Sequence, residues 1–268
     1  MDMSYSPPVA QLLELGEEKV RRRHWPDYLA LGLTREHVPE LIRLLTDPEV
    51  QRYHEGSARG YWPPIHAWRA LGQLRAEEAL QPLVTLLEEV GDDDWRKSEL
   101  PQVLGMIGPI AISPARRMVA REDLDEFTRY AAMHILTEVA TRWPDARDRA
   151  LEVLTAFLRH WDDQDPLFNA FLIAELVDAG ATEAAPLMAA AFEADAVDLS
   201  MCGDWEDVQV QMGLLDERTT PRPRHSALTL RHLSARPAEA PTNQRRSGQK
   251  KKNRRKDARA SRRQNRRK

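Results

Sequence analysis

Apolar residues recur at helical spacing along most of the chain, and the clearest stretch runs from His66 to Glu89. Its first half repeats apolar side chains at i, i+3, i+4 and i+7, which marks one face of an α-helix: Ala67, Ala70, Leu71 and Leu74. After a short polar turn a second apolar series follows: Leu80, Leu83, Leu86 and Leu87. The pattern predicts an antiparallel helix hairpin, which needs neighbours because one hairpin cannot bury both of its faces.

Related patterns recur on both sides of this hairpin. Four apolar positions in similar surroundings follow one another at intervals of 33, 32 and 37 residues: Leu71, Leu104, Leu136 and Ile173. The helices between them each carry an early proline: Pro39, Pro82, Pro114, Pro144 and Pro186. A proline in the first helical turn removes few intrahelical hydrogen bonds, because the first donors lack partners anyway. The spacing therefore predicts an array of helix pairs.

Two segments carry a resemblance to a known family. LALGLTREHVPELIRLLTD and HAWRALGQLRAEEALQPLVTLLEE resemble HEAT repeats, particularly the short kind found in phycobilisome-lyase-like proteins, and the resemblance covers roughly Tyr28 to Glu193. It implies an all-α fold, a right-handed α-solenoid of about five HEAT-like helix pairs. HEAT proteins mostly act as scaffolds that bind other macromolecules. A lyase-like enzyme of the bilin-handling kind is an alternative that rests on fold analogy alone.

The resemblance also implies a binding groove, because in HEAT-like stacking the second helix of each pair lines the concave side. By helical phase the following positions face that groove: His66, Arg69, Gln73, Glu99, Gln102, Met106, His134, Glu138 and Glu175. This mixture of acids, amides and histidines suits a protein or peptide partner better than a phosphate backbone. We therefore expect a non-catalytic scaffold or adaptor that binds a partner in the groove.

Two further helices are predicted from local patterns. Trp25 and Pro26 begin one of them, with an apolar face that includes Tyr28. The second lies between Leu124 and Val139, and its apolar face includes Phe127. In both cases the apolar side chains are expected to point into the core.

The net charge of −3 conceals two parts of opposite sign. Residues 1–221 carry a net charge of −19, whereas residues 222–268 carry 18 Lys and Arg and two acids. We predict a solenoid with terminal caps over residues 1–219 and a disordered basic tail over residues 220–268, because the tail has too little apolar surface to offset chain entropy.

The end of the tail, residues 245–268, has 14 Lys and Arg, one acid and no aromatic residue, so it offers phosphate contacts without base stacking or sequence readout. The candidate contacts to phosphates or to an acidic surface are Arg245, Arg246, Lys250, Lys251, Lys252, Arg254, Arg255, Lys256, Arg262, Arg263, Arg266, Arg267 and Lys268. Three interpretations remain open: non-specific binding of RNA, ribosomes or DNA, contact with the acidic solenoid or an acidic partner, and a solubilising or targeting extension.

Motifs of catalysis and cofactor binding are absent from the sequence, which has no Gly-rich phosphate loop, no GxSxG and no HExxH. We therefore expect neither an enzyme nor a cofactor. The acidic stretches Gly91–Trp95 and His160–Asp165 are expected to be solvated loops and not metal sites, because their ligand spacing is wrong. Cys202 has carboxylates beside it, which disfavour a reactive thiolate.

Residue usage indicates where the protein works. A single cysteine fits a reducing cytoplasm. The N-terminal sequence lacks the basic flank and apolar core of a signal peptide, and no apolar run reaches the 18 or so residues of a membrane helix. We expect a cytoplasmic protein without a membrane partner.

Overall fold

A computed structural model describes residues 5–16, 25–47, 50, 62–91 and 93–222, all of which belong to one compact unit. Over these residues the chain forms helices and turns and contains no strand, which confirms the all-α prediction. The basic side chains predicted to contact phosphates lie outside the described residues.

Eleven α-helices follow one another in the described part of the chain. They are α1 (Val38–Thr46), α2 (Trp62–Gln73), α3 (Leu80–Glu88), α4 (Asp94–Ile107), α5 (Ile112–Val119), α6 (Glu126–Arg142), α7 (Arg147–Leu158), α8 (Pro166–Asp178), α9 (Ala185–Glu193), α10 (Leu199–Cys202) and α11 (Trp205–Gln211).

The helices alternate between two layers. Helices α2, α4, α6 and α8 form an inner layer in which each helix packs against the next, and α10 continues the packing against α8. Helices α1, α3 and α5 pack on α2, α4 and α6 respectively, and α7 packs on both α6 and α8. The four apolar positions predicted to be equivalent are all fully buried in this core: Leu71, Leu104, Leu136 and Ile173.

The two layers begin their helices differently. Every outer helix follows directly on a 3-10 turn: Arg35–His37, Glu77–Ala79, Pro109–Ala111, Pro144–Ala146 and Thr182–Ala184. The early prolines lie in these turns or within the first three residues of the helix, where a missing N–H costs little. Inner helices α4, α6 and α8 instead begin after an aspartate whose carboxylate accepts a backbone N–H: Asp93, Asp125 and Asp165. The acidic loops therefore supply helix caps.

The inner helices run parallel and come very close together. Lys97 near the start of α4 binds Asp125 just before α6, and Gly105 near the end of α4 lies against Glu138 near the end of α6. A Cβ on Gly105 would lie 2.3 Å from the Cβ of Glu138, so only glycine allows this approach. Gly72 lies in a looser contact between α2 and α4, where an added Cβ would find its nearest atoms at 3.4 Å.

Two sequence predictions are wrong. The segment that begins at Trp25 is not an α-helix, since only Leu29–Leu31 is helical, as a 3-10 turn that Gly32 ends with φ +89°. The reason is a long-range contact, because the backbone groups of Pro26 and Tyr28 bind a side chain of α2. Phe127 does not enter the core but is 52% exposed in the first turn of α6.

Candidate binding surface

The nine positions predicted to face a groove all lie on inner helices, but with very different exposure. Four of them are buried: His66, Arg69, Glu99 and Glu175. The other five are partly exposed: Gln73, Gln102, Met106, His134 and Glu138. The buried members contact other inner helices or the N-terminal segment, so in this structure their side chains are not available at the surface.

A buried ion pair joins α2 to α4. The Arg69 Nε donates to Glu99 Oε2 at 2.8 Å and the Arg69 Nη2 donates to Glu99 Oε1. Trp68 Nε1 adds a third hydrogen bond to the same carboxylate at 2.9 Å, and the Arg69 guanidinium lies 4.9 Å from the centre of the Trp25 ring. Burial of both charges is tolerated because the carboxylate accepts several donors. The sequence pattern could not distinguish these charges from exposed ones, since a buried pair leaves the same polar positions in the helical period.

The N-terminal segment, residues 25–33, covers the surface of α2 next to the ion pair of Arg69 and Glu99. Gln73 holds the segment by its backbone: its Nε2 donates to the carbonyl of Pro26 and its Oε1 accepts the N–H of Tyr28, both at 2.8 Å. The Tyr28 hydroxyl lies 2.7 Å from His66 Nδ1. We call α2 together with residues 25–33 the covered end.

His66 is kept neutral at the covered end. Its side chain is fully buried, and its Nε2 faces the backbone of Leu15 and Gly16 without a hydrogen bond of good geometry in the described part of the chain. Burial, followed by the nearby charge of Arg69, lowers the pKa of His66 to about 4. A neutral imidazole can stay buried against Tyr28. A charged imidazole would be buried away from water and without a counter-ion.

Beyond the covered end the inner layer becomes accessible. We define the open face by the exposed and partly exposed positions on one side of α4 and α6: Ser98, Gln102, Met106, Phe127, Tyr130, His134 and Glu138. Their spacing of three and four residues places them in one line along each helix. The side chain of Gln102 makes no hydrogen bond within the described residues. The surface thus offers a free amide on α4 and an exposed aromatic ring on α6.

A second charged cluster links α6 to α8 at the edge of the open face. His134 Nδ1 lies 3.0 Å from Glu175 Oε2, and its Nε2 lies 3.5 Å from Glu138 Oε1. Arg142 in turn binds Glu138 at 2.6 Å. Burial alone would lower the pKa of His134, but the charge and hydrogen bond of Glu175 outweigh it and raise the pKa to about 9. At neutral pH this histidine is therefore a cation paired with a buried carboxylate.

Asp178 and Tyr130 complete this cluster, and the sequence analysis singled out neither. Asp178 is exposed by its surface area, but desolvation by the neighbouring helix ends, and then the nearby Glu175 carboxylate, raise its pKa to about 6, against the opposing effect of His134. Asp178 has no hydrogen bond or ion pair within the described residues. Tyr130 stacks on Phe171 with ring centres 4.6 Å apart, and burial, then Glu175, raises its pKa. The signal in the sequence was the continuation of the same helical line from Phe127 to Glu138.

The end of the described chain is tied to α11. Arg218 binds Asp204 and Asp207 with two of its nitrogens, and Thr220 donates its N–H to Glu206 at 3.0 Å. Cys202 lies beneath this contact, and burial, then Asp198, raises the pKa of its thiol to about 12. These contacts fix residues 218–222, the last part of the chain that the structure describes.

The chain resembles no known protein closely enough to identify its family. No family model, no curated protein and no solved structure matches this chain. No described helix combines the length and the apolar content needed to span a bilayer. In the part of the chain that the structure describes, no three His, Cys, Asp or Glu side chains are grouped so that they could hold a metal ion.

Proposed function

We propose that this protein is a non-catalytic, macromolecule-binding scaffold built as a HEAT-like solenoid. The regular alternation supports an array of about five helix pairs, because each outer helix starts with the same 3-10 turn and each inner helix packs on the next, and the right-handed twist is what the resemblance to HEAT repeats implies. Such arrays create extended surfaces, and most of them serve as binding surfaces. The single cysteine favours a cytoplasmic location.

The observation that carries the proposal is the difference in exposure between the open face, on α4 and α6, and the helices on either side of it, α2 and α8. The inner surface of α2 is occupied by the N-terminal segment, and α8 is buried from Phe168 to Val177. Between them, α4 and α6 expose a continuous line that includes the ring of Phe127 and the amide of Gln102. A surface that exposes both an aromatic ring and a polar group without a partner in the described chain is typical of an interaction surface.

A binding role also agrees with how the charged groups are used. Arg69 and His134 are each engaged by a carboxylate of the next inner helix, and the Cys202 thiol is strongly disfavoured as a thiolate. These are properties of groups that hold helices together, in contrast to catalytic groups, which are free to reach a substrate.

Site-specific photo-crosslinking tests the scaffold. Benzoylphenylalanine would replace Phe127 on the open face in one full-length variant and Gln81, an exposed residue of outer helix α3, in a matched one. We expect a crosslinked macromolecule from position 127 and none from position 81, and we expect Met106→Lys to reduce it. Equal crosslinking from both positions would contradict an inner binding surface.

A second candidate function, association with RNA or DNA through the basic tail, is favoured by the charge of residues 245–268. Each phosphate neutralised contributes about −0.7 to −0.9 to the slope of log affinity against log salt. A salt titration of the full chain against a generic RNA should then show a slope of several units and indifference to base sequence. A salt-insensitive signal would exclude this function, and nuclease treatment of the crosslinked sample separates it from a protein partner.

A further inference from the structure

We propose that the open face docks an extended, basic peptide segment of a partner protein, with Gln102 pairing its backbone and Asp178 receiving a lysine or arginine. This inference rests on the proposed scaffold function and names the class of partner. It follows from three observations: a segment already seated on the inner layer, a free amide on the neighbouring helix, and, at the end of α8 on the other side of α6, a carboxylate without an ion pair in the described chain.

The covered end shows how the inner layer holds an extended segment. Gln73 bonds the carbonyl of Pro26 and the N–H of Tyr28, so one side-chain amide reads the backbone on both sides of Asp27. The Trp25 ring lies over the Arg69 guanidinium. The inner layer thus binds non-helical chain through backbone hydrogen bonds and a ring contact, and it does so within this molecule.

The open face presents a side-chain amide on the next inner helix, one helical turn before Met106, which is the position equivalent to Gln73. Helix α4 packs directly against α2, and Gln102 lies partly exposed on it. A side-chain amide offers two donors and an acceptor. Because the Gln102 amide has no partner among the described residues, it can bond a peptide backbone on both sides of one residue, as Gln73 does.

The charge of the cluster selects the side chains of the partner. Glu175 is balanced by His134, and Glu138 is balanced by Arg142. Asp178 has no such partner in the described chain, and it ends α8, where the helix dipole also attracts a positive charge. A lysine or arginine beside Asp178 would offset the repulsion from Glu175 that raises the pKa of this carboxylate. The net charge of −19 on residues 1–221 favours the approach of a basic segment.

The dimensions suit a short extended segment. Phe127 and His134 lie seven residues apart on α6, which is about 10 Å at 1.5 Å per residue. Roughly three residues of extended chain cover this distance. The exposed Phe127 ring therefore falls within reach of an apolar side chain of the same segment that meets the charged cluster.

The direct test measures fluorescence anisotropy of a labelled decapeptide of alternating lysine and valine with the full-length protein. We expect saturable binding that weakens with salt, and no binding of the matched glutamate–valine peptide. Gln102→Ala should weaken binding about fivefold, the value of one or two net hydrogen bonds. Asp178→Asn should weaken it by a similar factor and reduce the dependence on salt.

Matched controls separate the open face from general charge effects. Gln81→Ala and Asp148→Asn make the same chemical changes at exposed positions of outer helices α3 and α7, and they should leave binding unchanged. Peptides N-methylated at single backbone amides should include one that binds the unaltered protein more weakly but does not further weaken Gln102→Ala. Equal effects from the outer variants, equal binding of the glutamate peptide, or an unaffected Gln102→Ala variant would overturn the proposal.

The outcome is distinguishable from failure of the scaffold function. If position 127 captures a macromolecule but the lysine peptide does not bind, the open face is a binding surface and the assignment of a basic peptide is wrong. If position 127 captures nothing selectively and the peptide does not bind, both proposals fail.

Discussion

The covered end and the cluster around His134 answer the same structural problem in opposite ways. Each places a histidine on an inner helix and each joins two inner helices through a buried carboxylate. At the covered end the permanent charge of Arg69 pairs with Glu99 and His66 stays neutral against Tyr28. Around His134 the histidine itself is the cation. The comparison shows what decides the state of each histidine. A chain segment packed over the helix makes His66 a neutral core residue, whereas the neighbouring carboxylate makes His134 a cation.

Between these regions no buried ion pair joins the middle of α4 to α6 in the described chain, and the pair of Lys97 with Asp125 lies at the beginnings of the two helices. Gln102 takes the place where Arg69 and His134 stand two residues before the equivalent leucines, and it has no partner in the described chain. The two helices are joined instead by the close contact of Gly105 with Glu138. The Gln102 side chain therefore contributes no hydrogen bond to the contact between α4 and α6.

The largest expected effect comes from breaking the ion pair of the covered end. Glu99→Ala leaves Arg69 buried at 1% exposure without this carboxylate, and removal of one partner of a buried pair typically costs about 3–5 kcal/mol. Urea unfolding should therefore show a large loss of unfolding free energy. As a control, Glu152→Ala removes the exposed pair with Arg159 and should change stability little. Similar small losses in both variants would mean that the buried pair does not hold α2 to α4.

The helical pattern predicted much of this architecture, and its failures at Trp25 and at Arg69 have a common physical cause. Apolar period and early prolines located α2 to α9 because those features act within one turn of helix. The failures at Trp25 and at Arg69 involve partners 30 to 47 residues away, as in the bonds from Gln73 to Pro26 and from Arg69 to Glu99. Local periodicity does not report such partners. For the candidate surface, the helical phase placed all nine positions on inner helices but did not show which of them other chain segments cover.

Glycine substitutions should distinguish the two helix contacts. Gly105→Ala places a Cβ 2.3 Å from that of Glu138 and must push α4 and α6 apart, at a cost of about 2 kcal/mol. Gly72→Ala meets its nearest atoms at 3.4 Å and gains helix propensity, so it should be neutral or stabilising by up to about 1 kcal/mol. Thermal or urea unfolding of the two variants measures the difference. Comparable destabilisation of both would show that α2 and α4 are as tightly packed as α4 and α6.

The two histidines should produce opposite pH dependence of stability. The folded-state pKa of His66, about 4, lies below the unfolded value of about 6.5, so the unfolded state takes up the proton first and stability falls as pH drops from 6.5 to 4. The pKa of His134, about 9, lies above it, so its contribution is complete below pH 6.5 and is lost as pH rises to 9. A difference of about 2.5 between the folded and unfolded pKa corresponds to roughly 3 kcal/mol for each histidine at full effect.

Single substitutions show which histidine causes each of the two slopes of stability against pH. Unfolding free energy is measured across pH 4 to 9. Relative to the unaltered protein, His66→Gln should no longer show the loss of unfolding free energy that this histidine causes between pH 6.5 and 4, and His134→Gln should lose the alkaline slope. Asp178, whose pKa is raised to about 6, contributes an opposite acid slope in both proteins, so the difference between variant and unaltered protein is the quantity to compare. Tyrosines titrate above this range, and both Tyr28 and Tyr130 have raised pKa values, so they do not interfere. An unchanged alkaline slope in His134→Gln would mean that the imidazole is not the cation of the cluster.

The smallest expected effect compares the two glutamines directly. Gln73→Ala removes both backbone hydrogen bonds to the N-terminal segment and should cost about 1–2 kcal/mol, since each net bond contributes on the order of 1 kcal/mol. Gln102→Ala removes no bond within the described residues and should change stability by less than about 0.5 kcal/mol. Hydrogen exchange provides the decisive measurement, because the amide of Tyr28 should lose protection in Gln73→Ala and keep it in Gln102→Ala. If Tyr28 remained protected in Gln73→Ala, the segment would be held by its rings and by His66, and the backbone would not be what the inner layer recognises.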